Sequence, residues 1–247
     1  MRTKTLLISL LFVALLFGMA SCEKDHDSSE GLSTITYFPE FTMTGDAEMF
    51  LNKGGSFTDP GVKAMEKGKE IDVSVNVTGA YSGYNGDEVE TNVVDNYTVS
   101  YSAINSDGYP GKTKRAVWVF EDGDLTTGLQ GLYTTTIVRD GTPAFTNVPY
   151  VLIWSLSATT FELQCGVGGY YDVGKAYGPG YAARGAVVTV NNLATNDFSV
   201  TDAKFPLWGN TVTITGFTVD ASAKTISYTG TGDWGSVFEV TLTQVEK

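Results

Sequence analysis

Residues 71–77 read Ile-Asp-Val-Ser-Val-Asn-Val, and residues 97–103 read Tyr-Thr-Val-Ser-Tyr-Ser-Ala. In both, an apolar side chain stands at every second position, the period of a strand with one buried face. The neighbouring chain fits the same reading. Residues 34–41 and 47–51 are short apolar–polar stretches around the turn Thr44-Gly45-Asp46. Lys53-Gly54-Gly55 and Asp59-Pro60-Gly61 punctuate either side of Ser56-Phe57-Thr58, Asn105-Ser106-Asp107-Gly108 follows the second alternating run, and residues 116–120 supply a last strand. About seven short strands in roughly 90 residues, with no helical period between them, predict a β-sandwich of immunoglobulin type. No cysteine pair is present to staple it, so packing must hold its sheets together.

Glu121-Asp122-Gly123-Asp124 reads as an acidic hinge, and beyond it the composition changes. Lysine and arginine fall to 6 in residues 124–247, while glycine, tyrosine, tryptophan and threonine rise. Strands are predicted at 131–139, 150–157, 160–164, 186–191, 197–203, 211–218, 225–229 and 237–244. Short turns such as Val219-Asp220-Ala221-Ser222-Ala223 join most of them, which suggests an up-and-down meander. Such a meander closes into a small barrel or splits into two packed sheets. The expected fold is therefore all-β: an N-terminal immunoglobulin-like β-sandwich at 34–122, then a C-terminal antiparallel barrel-like or sandwich domain at 123–247.

The chain has 247 residues and a formal charge of −12, from 28 acidic and 16 basic side chains. A surface this acidic repels phosphate backbones and argues against a nucleic-acid partner. Its one histidine is His26 and its two cysteines are Cys22 and Cys165. That inventory removes histidine-based triads, histidine-ligated zinc and a disulfide framework.

The first residues look like an address. Arg2 and Lys4 precede an apolar run at 6–17 and then Gly18-Met19-Ala20-Ser21-Cys22, the layout of a secretory signal. The run is shorter than the roughly 20 apolar residues of a permanent span. Ala20-Ser21-Cys22 resembles the bacterial lipobox, in which the cysteine is acylated and becomes the new N-terminus; Met19 stands where that motif usually has leucine. The resemblance implies a signal peptide at 1–21, lipidation at Cys22 and membrane attachment through the lipid alone. Removing residues 1–21 takes Arg2 and Lys4 away and leaves a charge of −14. Residues 22–33 form an acidic tether containing Glu23-Lys24-Asp25-His26-Asp27. This tether resembles the export signal that carries Bacteroidetes lipoproteins to the outer face of the outer membrane; its composition also suits a plain solvated linker. With His26 in the tether, the folded part holds no histidine for acid–base work near neutral pH.

Two further resemblances concern the folded part. Thr58-Asp59-Pro60-Gly61-Val62-Lys63-Ala64 and the stretch from Tyr97 to Gly108 are similar to immunoglobulin-like domains near the N-terminus of Bacteroidetes surface lipoproteins, where the domain mostly serves as a spacer. Gly168-Gly169-Tyr170-Tyr171-Asp172, Gly174, Tyr177-Gly178, Tyr181-Ala182-Ala183, Trp208-Gly209-Asn210 and the closing Phe238-Glu239-Val240-Thr241-Leu242-Thr243 resemble the C-terminal domain of two-domain lipoproteins encoded beside SusC/SusD-type importers. That likeness implies a setting, nutrient capture at the cell surface, with the importer as partner and no reaction attached. Asn210 departs from the acidic residue that often follows Trp-Gly there.

The one long interruption between predicted strands is 166–185, GVGGYYDVGKAYGPGYAARG. Loops of this length inside a domain are usually functional or disordered, and tyrosine is scarce in disorder. Tyr170, Tyr171, Tyr177 and Tyr181 offer flat faces with polar tips, suited to stacking on a sugar ring or gripping a peptide. With Asp172 and the glycine-flanked Trp208 and Trp234, they form the expected ligand-binding set. The competing expectation is that the tyrosines fold back to cap the end of a barrel. Trp118 and Trp154 lie within continuous apolar runs and read as core, as does the unpartnered Cys165. Gly166-Val167-Gly168-Gly169 precedes no helix and so is not a phosphate loop. Asp172, Asp202 and Asp233 are the carboxylates a glycoside hydrolase would need, though each also fits a turn. Asn85-Gly86-Asp87-Glu88 with Glu90, and residues 121–124, are oxygen-rich but match no calcium motif. The reading is a non-enzymatic surface lipoprotein, without cofactor or metal, that captures glycan or peptide beside an importer. Its rivals are a subunit docked on the importer with no ligand of its own, and a carboxylate-dependent hydrolase.

Overall fold

Period-2 alternation is carried out most completely in β7 (Asp95–Ile104), where Tyr97, Val99, Tyr101 and Ala103 are buried and the residues between them are not. The computed structural model describes residues 35–247; the signal segment, Cys22 and the acidic tether lie outside them. β7 pairs antiparallel with β8 (Pro110–Phe120) and β5 (Ser74–Gly79) in a five-stranded sheet. Its order is β2 (Glu48–Asn52), β8, β7, β5, β6 (Asn85–Gly86), with β2 running parallel to β8. A second sheet joins β1 (Glu40–Met43), β3 (Val62–Glu66) and β4 (Lys69–Ile71). Val77, Tyr97, Val99, Tyr101, Val117 and Val119 make the core, with Met43, Leu51, Phe57 and Val62 packed onto it. One expectation changes. Residues 71–77 are not one strand, because the chain leaves the three-stranded sheet after Ile71 and joins the five-stranded sheet at Ser74, leaving Val75 exposed.

Arg115 is fully buried in this sandwich. Its Nε donates to the Asp46 carbonyl at 2.9 Å, its Nη atoms reach the Asp59 carboxylate and the Thr44 carbonyl, and its guanidinium lies 5.9 Å from the Tyr101 ring centre. Tyr101 donates its hydroxyl to Asp59 at 2.7 Å, and Asp59 also accepts the Gly61 N–H at 3.2 Å. The Asp59-Pro60-Gly61 turn thus supplies the counter-ion that makes a buried arginine tolerable.

The C-terminal part is one nine-stranded antiparallel sheet. Its strands are β9 (Gly131–Arg139), β10 (Thr142–Ser155), β11 (Thr160–Leu163), β12 (Ala186–Asn192), β13 (Asp197–Val200), β14 (Ala203–Lys204), β15 (Thr211–Asp220), β16 (Thr225–Gly232) and β17 (Val237–Gln244). The spatial order is β13-β12-β11-β10-β9-β17-β16-β15-β14, so the first and last strands of the domain pair. The free edges, β13 and β14, are consecutive in the chain. Across that opening Phe198 meets Phe217 at 5.1 Å, and the Val219 N–H donates to Asn196 Oδ1 at 2.7 Å. The sheet is therefore a curled half-barrel, which resolves the choice between barrel and sandwich. β10 begins eight residues before its predicted start, because Pro143, Pro149 and three register shifts break the pattern a strand should show.

Phe38–Lys247 is one compact unit, and residues 121–124 are not a hinge within it. Glu121 accepts the Ser155 N–H at 2.8 Å and hydroxyl at 2.7 Å and pairs with Lys53 at 2.9 Å. Burial works to raise its pKa, but these partners together hold it below the usual carboxylate value. Asp122 accepts from Asn52 at 2.6 Å, and the Gly123 carbonyl accepts from Gln244 at 2.9 Å. Beneath them Trp118 and Phe120 pack against Leu132 and Leu152, while Tyr81 reaches into the half-barrel core. Acidity suggested a solvated hinge; each of these three residues instead has a partner across or beside the seam.

Candidate functional site: an aromatic platform on the half-barrel

The 166–185 segment leaves β11 and returns at β12 through a closed neck. The Gly166 N–H donates to the Ala183 carbonyl at 2.7 Å, and the Ala183 N–H donates to Cys165 Sγ at 3.3 Å. Burial pushes the Cys165 thiol well above its ordinary pKa, so it is an inert core group. Between the necks lies a single π turn, Tyr170–Gly174, and a 3₁₀ turn, Pro179–Tyr181. Gly168 is required twice over: its φ is +64°, and a Cβ there would lie 2.5 Å from Val240.

The π turn throws its side chains in opposite directions. On one side Tyr171 meets Trp208 at 4.9 Å, Phe205 at 5.6 Å and Tyr177 at 6.2 Å in a near-parallel stack. Tyr181 closes the circle at 5.0 Å from Trp208 and 5.4 Å from Tyr177. Trp234 joins through Phe205 at 5.7 Å and Phe238 at 6.2 Å. Five of the expected residues thus come together in one cluster with open faces: Tyr177 is 54% exposed, Trp208 45% and Trp234 39%, with Tyr171 and Tyr181 half-buried.

Two expected ligand contacts are corrected. Tyr170 is buried, with its ring 5.2 Å from both Phe145 and Phe238, so it forms the floor of the platform and not its face. Asp172 is also buried and points into the seam, where Oδ2 accepts from the Tyr81 hydroxyl at 3.2 Å and Gln164 Nε2 at 3.1 Å. Burial raises its pKa. A turn of five residues cannot place neighbours 170, 171 and 172 on one face, which the sequence pattern left out of account. Capping tyrosines and exposed tyrosines both occur, side by side.

Local turns hold the tryptophans. Gly209 at φ +77° lets the Gly209 N–H reach the Phe205 carbonyl at 2.8 Å, which turns Trp208 outward. Asp233 accepts Asn210 Nδ2 at 2.7 Å and the Thr211 N–H at 3.0 Å, tying the Trp208 and Trp234 turns together. The Thr211 and Asn210 donors lower the Asp233 pKa, so Asp233 is a structural carboxylate and a poor general acid. Sequence reasoning missed Phe205, Phe238, Leu207 and Arg139. The Arg139 guanidinium lies 5.3 Å from the Tyr170 ring centre and 5.4 Å from that of Phe238, and donates to Ser236 at 3.0 Å. Phe238 lay within the quoted closing strand; Arg139 carried no signal beyond ending a predicted strand.

The oxygen-rich loops have internal partners: Asp124 caps Thr126 and Thr127, and Glu90 accepts the Asn92 N–H at 3.0 Å. Among the described residues, no group of three or more His, Cys, Asp or Glu side chains is placed to hold a metal ion. No helix among them is long and apolar enough to cross a membrane.

Comparison with known proteins matches the two parts of the chain separately. Residues 41–119 match the family model for a bacterial surface protein Ig-like domain. A second family model, describing a C-terminal domain, matches residues 122–244. The fold is also that of a lipoprotein from Bacteroides thetaiotaomicron, whose crystal structure superposes with a TM-score of 0.62 at 24% identity, covering 84% of this chain and 100% of that one. No curated protein matches the chain.

Proposed function

We propose that this chain is a lipid-anchored protein on the outer face of a bacterial outer membrane, which holds a glycan or peptide for a SusC/SusD-type importer and performs no catalysis. The observation that carries the reading is the open aromatic face of Tyr177, Trp208 and Trp234, backed by Tyr171 and Tyr181. Rings fixed by other rings lose little conformational freedom on binding, so flat apolar ligand faces stack at small entropic cost. The lipobox at Cys22, the Ig-like domain match and the lipoprotein neighbour support the location. Asp172 and Asp233 are engaged in structural hydrogen bonds, which disfavours the hydrolase reading.

Titrating the mature protein with polysaccharides and peptide digests, followed by tryptophan fluorescence, tests the proposal. Saturable binding that is lost in folded Trp208→Ala and Tyr177→Ala variants is the expected result. Absence of binding across both ligand classes overturns ligand capture. A second reading has its own support: Leu207, highly exposed beside Trp208, is an aliphatic group that suits a protein surface better than a sugar. Under that reading the platform is where the importer docks.

A further inference from the structure

β7 and β8 run the full length of the sandwich and give it two different ends. At one end Asp95 accepts the Tyr81 and Ser82 N–H groups at 2.9 and 2.8 Å, and Phe120 packs into the seam with the half-barrel. The other end, the tip at 105–109, lies about 30 Å away at the rise of a strand. There Phe38, where the compact unit begins, packs against Tyr109 at 5.9 Å. The chain therefore enters from the tether at the end opposite the half-barrel. That tip is apolar where nothing in the fold requires it: Phe38 is 61% exposed, Ile104 65% and Tyr109 51%. Glu66 accepts the Ser106 N–H at 2.8 Å and its hydroxyl at 2.5 Å, locking the β3–β4 turn to the tip. Lys67 and Lys69 of that turn share one concave surface with Ile104.

We propose that this tip is a foot that rests in the headgroup layer of the membrane carrying the anchor, with Phe38, Ile104 and Tyr109 inserted and Lys67 and Lys69 reaching the phosphates. The proposal rests on acylation at Cys22. Phe38 lies sixteen positions after Cys22, a span of at most about 55 Å fully extended, so an acylated chain holds the tip within that reach of lipid. One acyl anchor leaves a protein free to tumble; a second, weak apolar contact fixes its orientation. Aromatic rings with a polar edge favour this boundary, and lysine stems extend through it. Glu66, Glu70 and Asp72 share that concave surface with the lysines, so the apolar side chains carry the attraction and the contact survives salt. With the foot down, the half-barrel and its platform project away from the lipid.

The test uses the mature acylated protein in phosphatidylethanolamine–phosphatidylglycerol vesicles, with a nitroxide at Asp107→Cys in the tip or, as reference, at Ala223→Cys on the half-barrel. Cys165 is buried and does not compete for the label. The label at 107 is expected to show a several-fold lower accessibility to a water-soluble nickel relaxant than the label at 223, at both low and high salt. The triple variant Phe38→Ser, Ile104→Ser, Tyr109→Ser, labelled at 107, is expected to abolish that difference while still floating with the vesicles. Flotation with equal accessibility at 107 and 223 overturns the foot and leaves the anchor standing. Failure to float overturns the anchor, and the foot with it.

Discussion

The four tryptophans divide into two pairs with opposite fates. Trp118 and Trp154 belong to the seam, where Trp118 is 6% exposed, donates Nε1 to Glu48 at 3.0 Å and meets Tyr150 edge-on at 5.4 Å. Trp208 and Trp234 belong to the platform, where three rings pack on the first and two on the second, more than on either seam tryptophan, yet both remain open to solvent. Aromatic clustering by itself therefore says nothing about function. What separates the pairs is the backbone beneath them: continuous strand for the first, a turn ending in glycine for the second. A strand residue must face one layer or the other, whereas a turn residue can be aimed at water.

Replacing one member of each pair should separate the two roles. The largest effect is expected for Trp118→Ala, which empties a site between the sandwich and the half-barrel and should cost about 3–5 kcal/mol in urea denaturation. Because the seam makes one unit of two parts, unfolding of the wild type should be a single transition. A variant that unfolds in two steps would show that the seam, and not either core, sets the cooperativity. Tyr81→Phe probes the same seam more gently. It removes the hydroxyl from Asp172 and Gln164 without opening a cavity, and should cost about 1–3 kcal/mol with no change in any ligand titration.

The contrast between the two pairs was legible in sequence, since Trp118 and Trp154 sit inside unbroken apolar runs and Trp208 and Trp234 stand next to glycine. Strands β9 and β17 likewise fall where alternation places them. The seam was not legible. Its bonds join residues as far apart as Gly123 and Gln244, and Tyr81 lies in a short loop that resembles nothing in particular. Nor was the fate of Tyr170 and Asp172. Their identities suit a ligand, but their directions depend on a π turn whose hydrogen bonds, such as Lys175 N–H to the Tyr170 carbonyl at 3.0 Å, reach back five positions.

On the platform side, Trp208→Ala removes a half-buried ring and should cost about 1–2 kcal/mol, less than its seam counterpart, while eliminating the fluorescence response to ligand. Asp172 permits a sharper test because its charge belongs to the seam. Burial holds its pKa above the ordinary 3.8, so the folded chain binds this proton more tightly than the unfolded chain. The stabilisation is complete below 3.8 and is lost as pH rises through the folded value. Asparagine cannot ionise, so the denaturation midpoint of Asp172→Asn should gain on the wild type as pH rises from 4 toward neutrality. A constant gap across that range would mean that Asp172 does not ionise differently in the two states.

The smallest effect on stability, and the most discriminating for function, is expected at Leu207. Its side chain lies over Gly180, whose added Cβ would sit 3.1 Å from Leu207 Cδ1, but otherwise faces solvent. Leu207→Ser should therefore change stability by no more than about 0.5 kcal/mol. Stacking on a sugar is performed by the rings beside it, so a glycan titration should be indifferent to the change. A protein partner would bury the leucine, and losing it should weaken importer capture in a pull-down while every soluble-ligand titration stays the same. An unchanged pull-down together with an unchanged polysaccharide titration would assign the platform to glycan alone. A weakened peptide titration would assign Leu207 to an aliphatic subsite beside the aromatic one.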